Sequence, residues 1–144
     1  MTIAKTSDCK ASASHRVLQP DGWAKPIGYA NGVSARGRTI FVGGQIGWNS
    51  QCKFETHDLA GQVRQALLNI VAVLHEGGAE PKDVTTMTWY VLDRKKYIAE
   101  LKEIGEAYRA TMGRHFPAMA VIEVSGLIED EALVEIQATA VVPD

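Results

Sequence analysis

Residues able to do covalent or acid–base chemistry are few in this chain and widely spaced. The two cysteines, Cys9 and Cys52, are too far apart in sequence for a metal-ligating pair and too few for a disulfide framework, so they read as free thiols. His57 and His75 fall near the ends of a candidate helix, with no acid or cysteine at ligand spacing. No HExxH, CxxC, GxSxG or phosphate-loop pattern occurs. A metal, a nucleotide or a covalent nucleophile is therefore not indicated, and no cofactor is expected. What remains is subtler. Gly43 and Gly44, followed by Gln45, end a strand-like run and would let a ligand reach backbone N–H groups, or only permit tight packing. Trp48, a few residues on, would line such a site or serve packing. Arg114 and His115 precede a Phe-Pro turn and could supply a positive charge there, although turn residues usually face water.

The elements that must hold these residues follow from periodicity. The segment Val17 to Asn31 carries Pro20, Gly22, Pro26 and Gly28, and predicts an irregular, packed loop. A short strand, a turn near Arg36-Gly37-Arg38 and a second strand over Thr39–Val42 predict a β-hairpin, with Arg36 and Arg38 solvated. From Asp58 the period becomes helical. Leu59, Val63, Ala66, Leu67, Ile70, Val73 and Leu74 share one face, and Gly77-Gly78 supplies the stop. Val84 to Leu92 is rich in Thr, Trp, Tyr and Val and reads as a strand. Asp93 caps a second helix with the stripe Tyr97, Leu101, Ile104, Tyr108 and Met112, closed by Gly113. Met119–Val124 and Leu133–Val142 are the last strands. In the final one Val134, Ile136, Ala138, Ala140 and Val142 alternate with Leu133, Glu135, Gln137, Thr139 and Val141.

The order β-β-α-β-α-β-β predicts an α+β sandwich with two helices on one face of a mixed sheet. The second face, to which Met87, Trp89, Leu133 and Val141 are assigned, has no helix left to cover it. Self-association would do so. At 144 residues the chain fits one domain, expected over residues 16–144 behind a mobile tail, 1–15. Hydrophobic residues are 46% and charged residues 22%, ordinary for a globular protein and unlike disorder or coiled coil. A net charge of −2, with no basic stripe, argues against nucleic-acid binding. No apolar run reaches membrane-spanning length, and the N-terminus lacks a signal-peptide core. A cytoplasmic protein is expected.

Ile27-Gly-Tyr29 followed by Ile40-Phe-Val-Gly-Gly-Gln-Ile46 resembles the N-terminal signature of the Rid family of enamine/imine deaminases, the YjgF-type proteins also described as endoribonuclease L-PSP. Gln62-Val-Arg-Gln-Ala-Leu-Leu-Asn69 is similar to that family's first helix. Phe116-Pro-Ala118 with Leu133-Val-Glu-Ile-Gln-Ala-Thr-Ala140 is similar to its C-terminal signature. The likeness runs over about residues 16–143. It implies a chorismate-mutase-like fold, homotrimers, and clefts between subunits that take a small imine or enamine.

The resemblance also assigns positions. Tyr29 stands at a recurrent tyrosine and Glu135 at a recurrent glutamate, the two catalytic candidates. Gly43 stands where serine is usual, with Gly44 and Gln45 beside it. Met119 stands where an arginine is usual, and Val121 where a cysteine often is. These five are the substrate-binding candidates. Protonated, Glu135 could hydrogen-bond an imine nitrogen; ionised, it could orient water. Otherwise it is a solvated strand residue. Tyr29 would orient a substrate, or only anchor its loop. A guanidinium grips a carboxylate through two parallel charge-assisted hydrogen bonds, and methionine offers none. The resemblance therefore implies imine or enamine hydrolysis with a substrate shifted away from 2-aminoacrylate. A non-catalytic, metabolite-binding trimer is the alternative, and a ribonuclease a weaker one.

Overall fold

The computed structural model describes residues 15–144, so Cys9 and all of the expected tail except His15 lie outside the described residues. The elements are β1 (His15–Leu18), β2 (Gly32–Ala35), β3 (Arg38–Ile46), α1 (Leu59–Glu76), a 3-10 turn (Pro81–Asp83), β4 (Val84–Val91), α2 (Arg94–Ala99), α3 (Leu101–Met112), β5 (Ala118–Glu123) and β6 (Val134–Val142). The main sheet runs β3-β6-β4-β5, with β4 and β5 parallel and the other pairs antiparallel. The helices cover one face, giving the expected two-layer α+β sandwich.

Local signals fix the long helix. The Asp58 side chain accepts from the N–H of Gly61, and Gly77 and Gly78 end the helix. The predicted face is buried except for Val73, which is 40% exposed. Leu67, Ile70 and Leu74 are fully buried against β4 and β6 residues such as Met87 and Ile136. Each such side chain contributes about 1.5–3 kcal/mol of burial. Asp93 caps as expected, by accepting from Lys96 N–H.

Three expectations are corrected. The hairpin across Arg36-Gly37-Arg38 does not form: β2 pairs with β1, and β3 pairs with β6. Strand-forming residues on both sides of Gly37 (φ 145°) looked like partners, but the turn turns the chain out of one sheet and into another. The partner strand β1 lies in the segment read as tail and loop. Second, Met87 and Trp89 do not lie on the uncovered face. They are 1% and 3% exposed, packed under the helices, because the strand carries a register irregularity between Val84 and Thr86 that turns Thr86, Thr88 and Tyr90 outward. Leu133, assigned to the same uncovered face, is partly buried against the core. Third, the second helix breaks at Glu100 (φ −106°, ψ 19°) into α2 and α3. Leu101, predicted in its buried stripe, is 51% exposed.

Among the described residues no helix covers the second face. It carries Phe41 (79% exposed) from β3, Thr86, Thr88 and Tyr90 from β4, and Glu135, Gln137 and Thr139 from β6. No helix among the described residues is long and apolar enough to cross a membrane.

Candidate active site

The candidate residues fall into two groups on opposite faces of the sheet. The first group faces the helices. Ala30 N–H donates to Pro117 C=O, and Ala30 bridges Ala118, so the glycine-rich loop runs along the free edge of β5. That edge contact holds Tyr29 beside Met119 and Val121. Register does the rest: Met119 pairs with Met87 and Val121 with Trp89, so all four point to the helical side. Between β5, the loop and α2–α3 lies a groove of about 520 Å³, within the ~300–1,000 Å³ range of small-molecule sites.

The floor of this groove is aromatic. Tyr108 stacks on Phe116 with ring centroids 5.6 Å apart and planes at 15°. Trp89 meets Tyr108 at 6.2 Å and Tyr97 edge-on at 6.4 Å. The Tyr108 hydroxyl donates to the carbonyl of His115, which fixes the turn leading into Phe116-Pro117. Burial pushes the Tyr108 hydroxyl far above the ordinary tyrosine range and raises that of Tyr97 as well. Both stay neutral in the folded protein when the unfolded chain begins to ionise, near pH 10. Above that pH the unfolded state binds fewer protons than the folded one, so stability falls as pH rises. Denaturant midpoints are therefore expected to drop between about pH 10 and pH 11.5, and Tyr108→Phe is expected to flatten the drop. An unchanged pH slope in Tyr108→Phe would contradict the assignment.

The second group faces away. Glu135 is opposite Tyr90 in the β4–β6 register, on the uncovered face. Its carboxylate lies over Gly44, where a β-carbon would overlap Oε2. The β3–β6 register slips between Val42 and Gln45, so Gly43 and Gly44 form a bulge rather than the end of the strand. Gln45 folds its side chain back to donate to Gly43 C=O at 3.2 Å, which satisfies the bulged backbone. Gly43 also borders a shallow depression of about 220 Å³ on the open face, with Phe41, Thr86, Thr88 and Gln137. Within one protomer Tyr29 and Glu135 are thus not neighbours. They lie on opposite faces, about three strand spacings (~14 Å) apart along the sheet.

Two supporting residues stand at the ends of the Gln62–Asn69 helix motif. Gln62, fully buried on α1, donates to the carbonyls of Thr56 (3.2 Å) and Glu131 (2.9 Å) and accepts from Leu133 N–H (2.8 Å). Asn69 donates to Ile46 C=O (3.1 Å) and Trp48 C=O (2.8 Å). Together these amides bolt the end of β3 and the start of β6 to one helix. A buried glutamine in an apolar helical stripe was the visible signal. Trp48 itself packs on Phe54 at 5.9 Å, in a small bridge away from the aromatic floor.

The other basic candidates do not enter the groove. Arg114 is exposed, and the His115 ring lies 2.7 Å from Val84 C=O. His57 pairs loosely with Glu131 at 3.7 Å on the surface. Among the described residues the groove's one charged lining residue is Arg109, which no sequence motif marks. No cluster of three or more potential metal ligands occurs among the described residues.

Residues 24–142 match the model of the family described as Endoribonuclease L-PSP. The chain belongs to the Rid/YjgF family. It is 35% identical over 126 residues to a RutC family protein of Pyrococcus horikoshii, a match covering 86% of this chain and 95% of that one. It is 33% identical over 113 residues to 2-iminobutanoate/2-iminopropanoate deaminase of Escherichia coli, covering 78% and 86%. Among solved structures, a Rid-family protein of unknown function from Yersinia pestis superposes with a TM-score of 0.80 at 32% identity, covering 90% of this chain and 99% of that one. These likenesses agree with the chorismate-mutase-like α+β fold expected for a Rid protein.

Proposed function

We propose that the protein hydrolyses an imine or enamine, as a homotrimer whose clefts join the groove of one protomer to the open sheet face of the next. The observation that carries this reading is the division of the candidate residues. Tyr29, Met119 and Val121 border a preformed groove on one side of the sheet, while Glu135 over Gly44 waits on an uncovered face on the other. A face with Phe41 79% exposed is suited to burial against a second copy. The resemblance to an Escherichia coli deaminase at 33% identity supplies the reaction class.

In this reading the groove holds the substrate, Tyr29 orients it, and Gly43, Gly44 and Gln45 leave backbone and amide groups near its polar end. Glu135 orients a water molecule toward the imine carbon and then passes the proton to nitrogen. The water oxygen forms a bond to carbon, both water protons end on nitrogen, and the C–N bond breaks. One imine and one water become one carbonyl compound and one ammonia. Met119 brings no positive charge, so a short acid such as 2-aminoacrylate loses the bidentate grip that an arginine there would provide. The preference shifts to substrates that use the apolar groove. A cytoplasmic location fits the free thiol of Cys52.

The test generates a panel of imines with an amino-acid oxidase and traps them with semicarbazide. The protein is expected to suppress semicarbazone formation for bulky apolar imines more than for that of alanine. Light scattering should give about three times 15.7 kDa. A panel in which no imine is consumed, with ligand-induced thermal shifts intact, would replace the enzyme by a metabolite-binding trimer. A 15.7 kDa particle would remove the shared cleft.

A further inference from the structure

We infer that Arg109 is the carboxylate-binding residue of the groove, and that the groove selects 2-imino acids, or their 2-oxo acids, with a bulky planar side chain. The binding claim stands on the groove itself; only its extension to turnover rests on the deaminase reading.

Among the described residues Arg109 is the one charged residue bordering the groove, on α3 opposite the wall that carries Met119 and Val121. Its guanidinium folds back along the helix over Gly105. A β-carbon at position 105 would stand 3.1 Å from Nη1 and 3.6 Å from Nη2, so a larger residue there would crowd the head. Glycine in mid-helix costs stability, and here it leaves room for the arginine head beside the groove. Among the described residues this guanidinium has no ion pair and donates no hydrogen bond, so its planar fork is free for a carboxylate. The rest of the lining is apolar or aromatic. Leu101, 51% exposed beside the break at Glu100, lines the groove with Ile104, Trp89, Tyr97 and Tyr108. Tyr97 and Phe116 are only partly buried and present aromatic surface to a flat group, backed by Trp89 and Tyr108, which are 3% and 5% exposed. The indole N–H of Trp89 is buried in the same wall with no acceptor among the described residues. Anion at Arg109 and planar group over the aromatic floor is the one placement that uses both features. In it the carboxylate is held from the helix rather than from β5.

The probe is phenylpyruvate, measured by calorimetry against pyruvate and against phenylacetone, which keeps the ring and ketone but lacks the carboxylate. Wild type is expected to bind phenylpyruvate about tenfold or more tightly than pyruvate. Arg109→Met should weaken phenylpyruvate about tenfold or more, leave phenylacetone unchanged, and be partly rescued by Arg109→Lys. In the imine assay the same variant should raise KM for the phenylalanine-derived imine with little change in kcat. Equal binding of phenylpyruvate by wild type and Arg109→Met, or equal binding of pyruvate and phenylpyruvate by wild type, would overturn the inference. Arg109-dependent binding without turnover of any imine would uphold it while removing the deaminase reading.

Discussion

Glu135→Gln is expected to lower kcat for imine hydrolysis by about 10²–10⁴-fold while leaving the fold and the assembly intact, the range a positioned general acid–base contributes. The substitution is nearly isosteric. It keeps a side chain over Gly44 and removes the ability to cycle a proton between water and nitrogen. KM should move little, because the apolar groove and not the carboxylate provides most of the binding. Gly44→Ala is a companion from the neighbouring strand. Its β-carbon would overlap the Glu135 carboxylate, so the side chain must rotate away and activity should fall with Glu135 chemically intact. Equal kcat in wild type and Glu135→Gln, by semicarbazide competition, would place the chemistry elsewhere.

Gln62→Leu is expected to destabilise the protein by at least about 2 kcal/mol, although it replaces a polar side chain with an apolar one of similar size in a buried site. The reason is what it abandons. The Gln62 amide serves the carbonyls of Thr56 and Glu131 and the N–H of Leu133, and a buried polar group left without its partner costs about 1–3 kcal/mol. Gly47 adds to the constraint, since a β-carbon there would stand 2.6 Å from Gln62 Cβ; helix and strand meet too closely for water to replace the amide. Leu133 leads directly into β6, so loosening this site should also blur the position of Glu135. Urea midpoints measure the first effect. A variant as stable as wild type would mean that the three groups find other partners.

The sequence was most legible where one period held over a long segment. The face from Leu59 to Leu74, the Asp93 cap and the alternation of β6 are each set by neighbouring residues, and each appears in the fold. It was least legible where pairing is non-local. His15–Leu18 has only four residues and finds its partner across the Pro/Gly loop, and nothing in it distinguishes strand from tail. The face of β4 was misassigned because an irregularity beside Val84 shifts the alternation by one, and a one-residue slip exchanges the two faces. For the site, the motif likeness marked Tyr29, Gly43, Gly44, Met119, Val121 and Glu135 one position at a time. It could not say that they stand on opposite faces. Arg109 was invisible because its significance lies in Gly105 one turn earlier and in a groove that distant elements build together.

Complementation between two variants shows whether each site is shared between protomers. Glu135→Gln disables the open-face half, and Val121→Trp closes the groove half; each alone should be inactive as a trimer. Unfolded together in equal amounts and refolded, random assembly leaves about one cleft in four with both halves wild type, so about a quarter of wild-type activity should return. If both halves belonged to one protomer, the refolded mixture would stay as inactive as its parents, and the shared cleft would be contradicted.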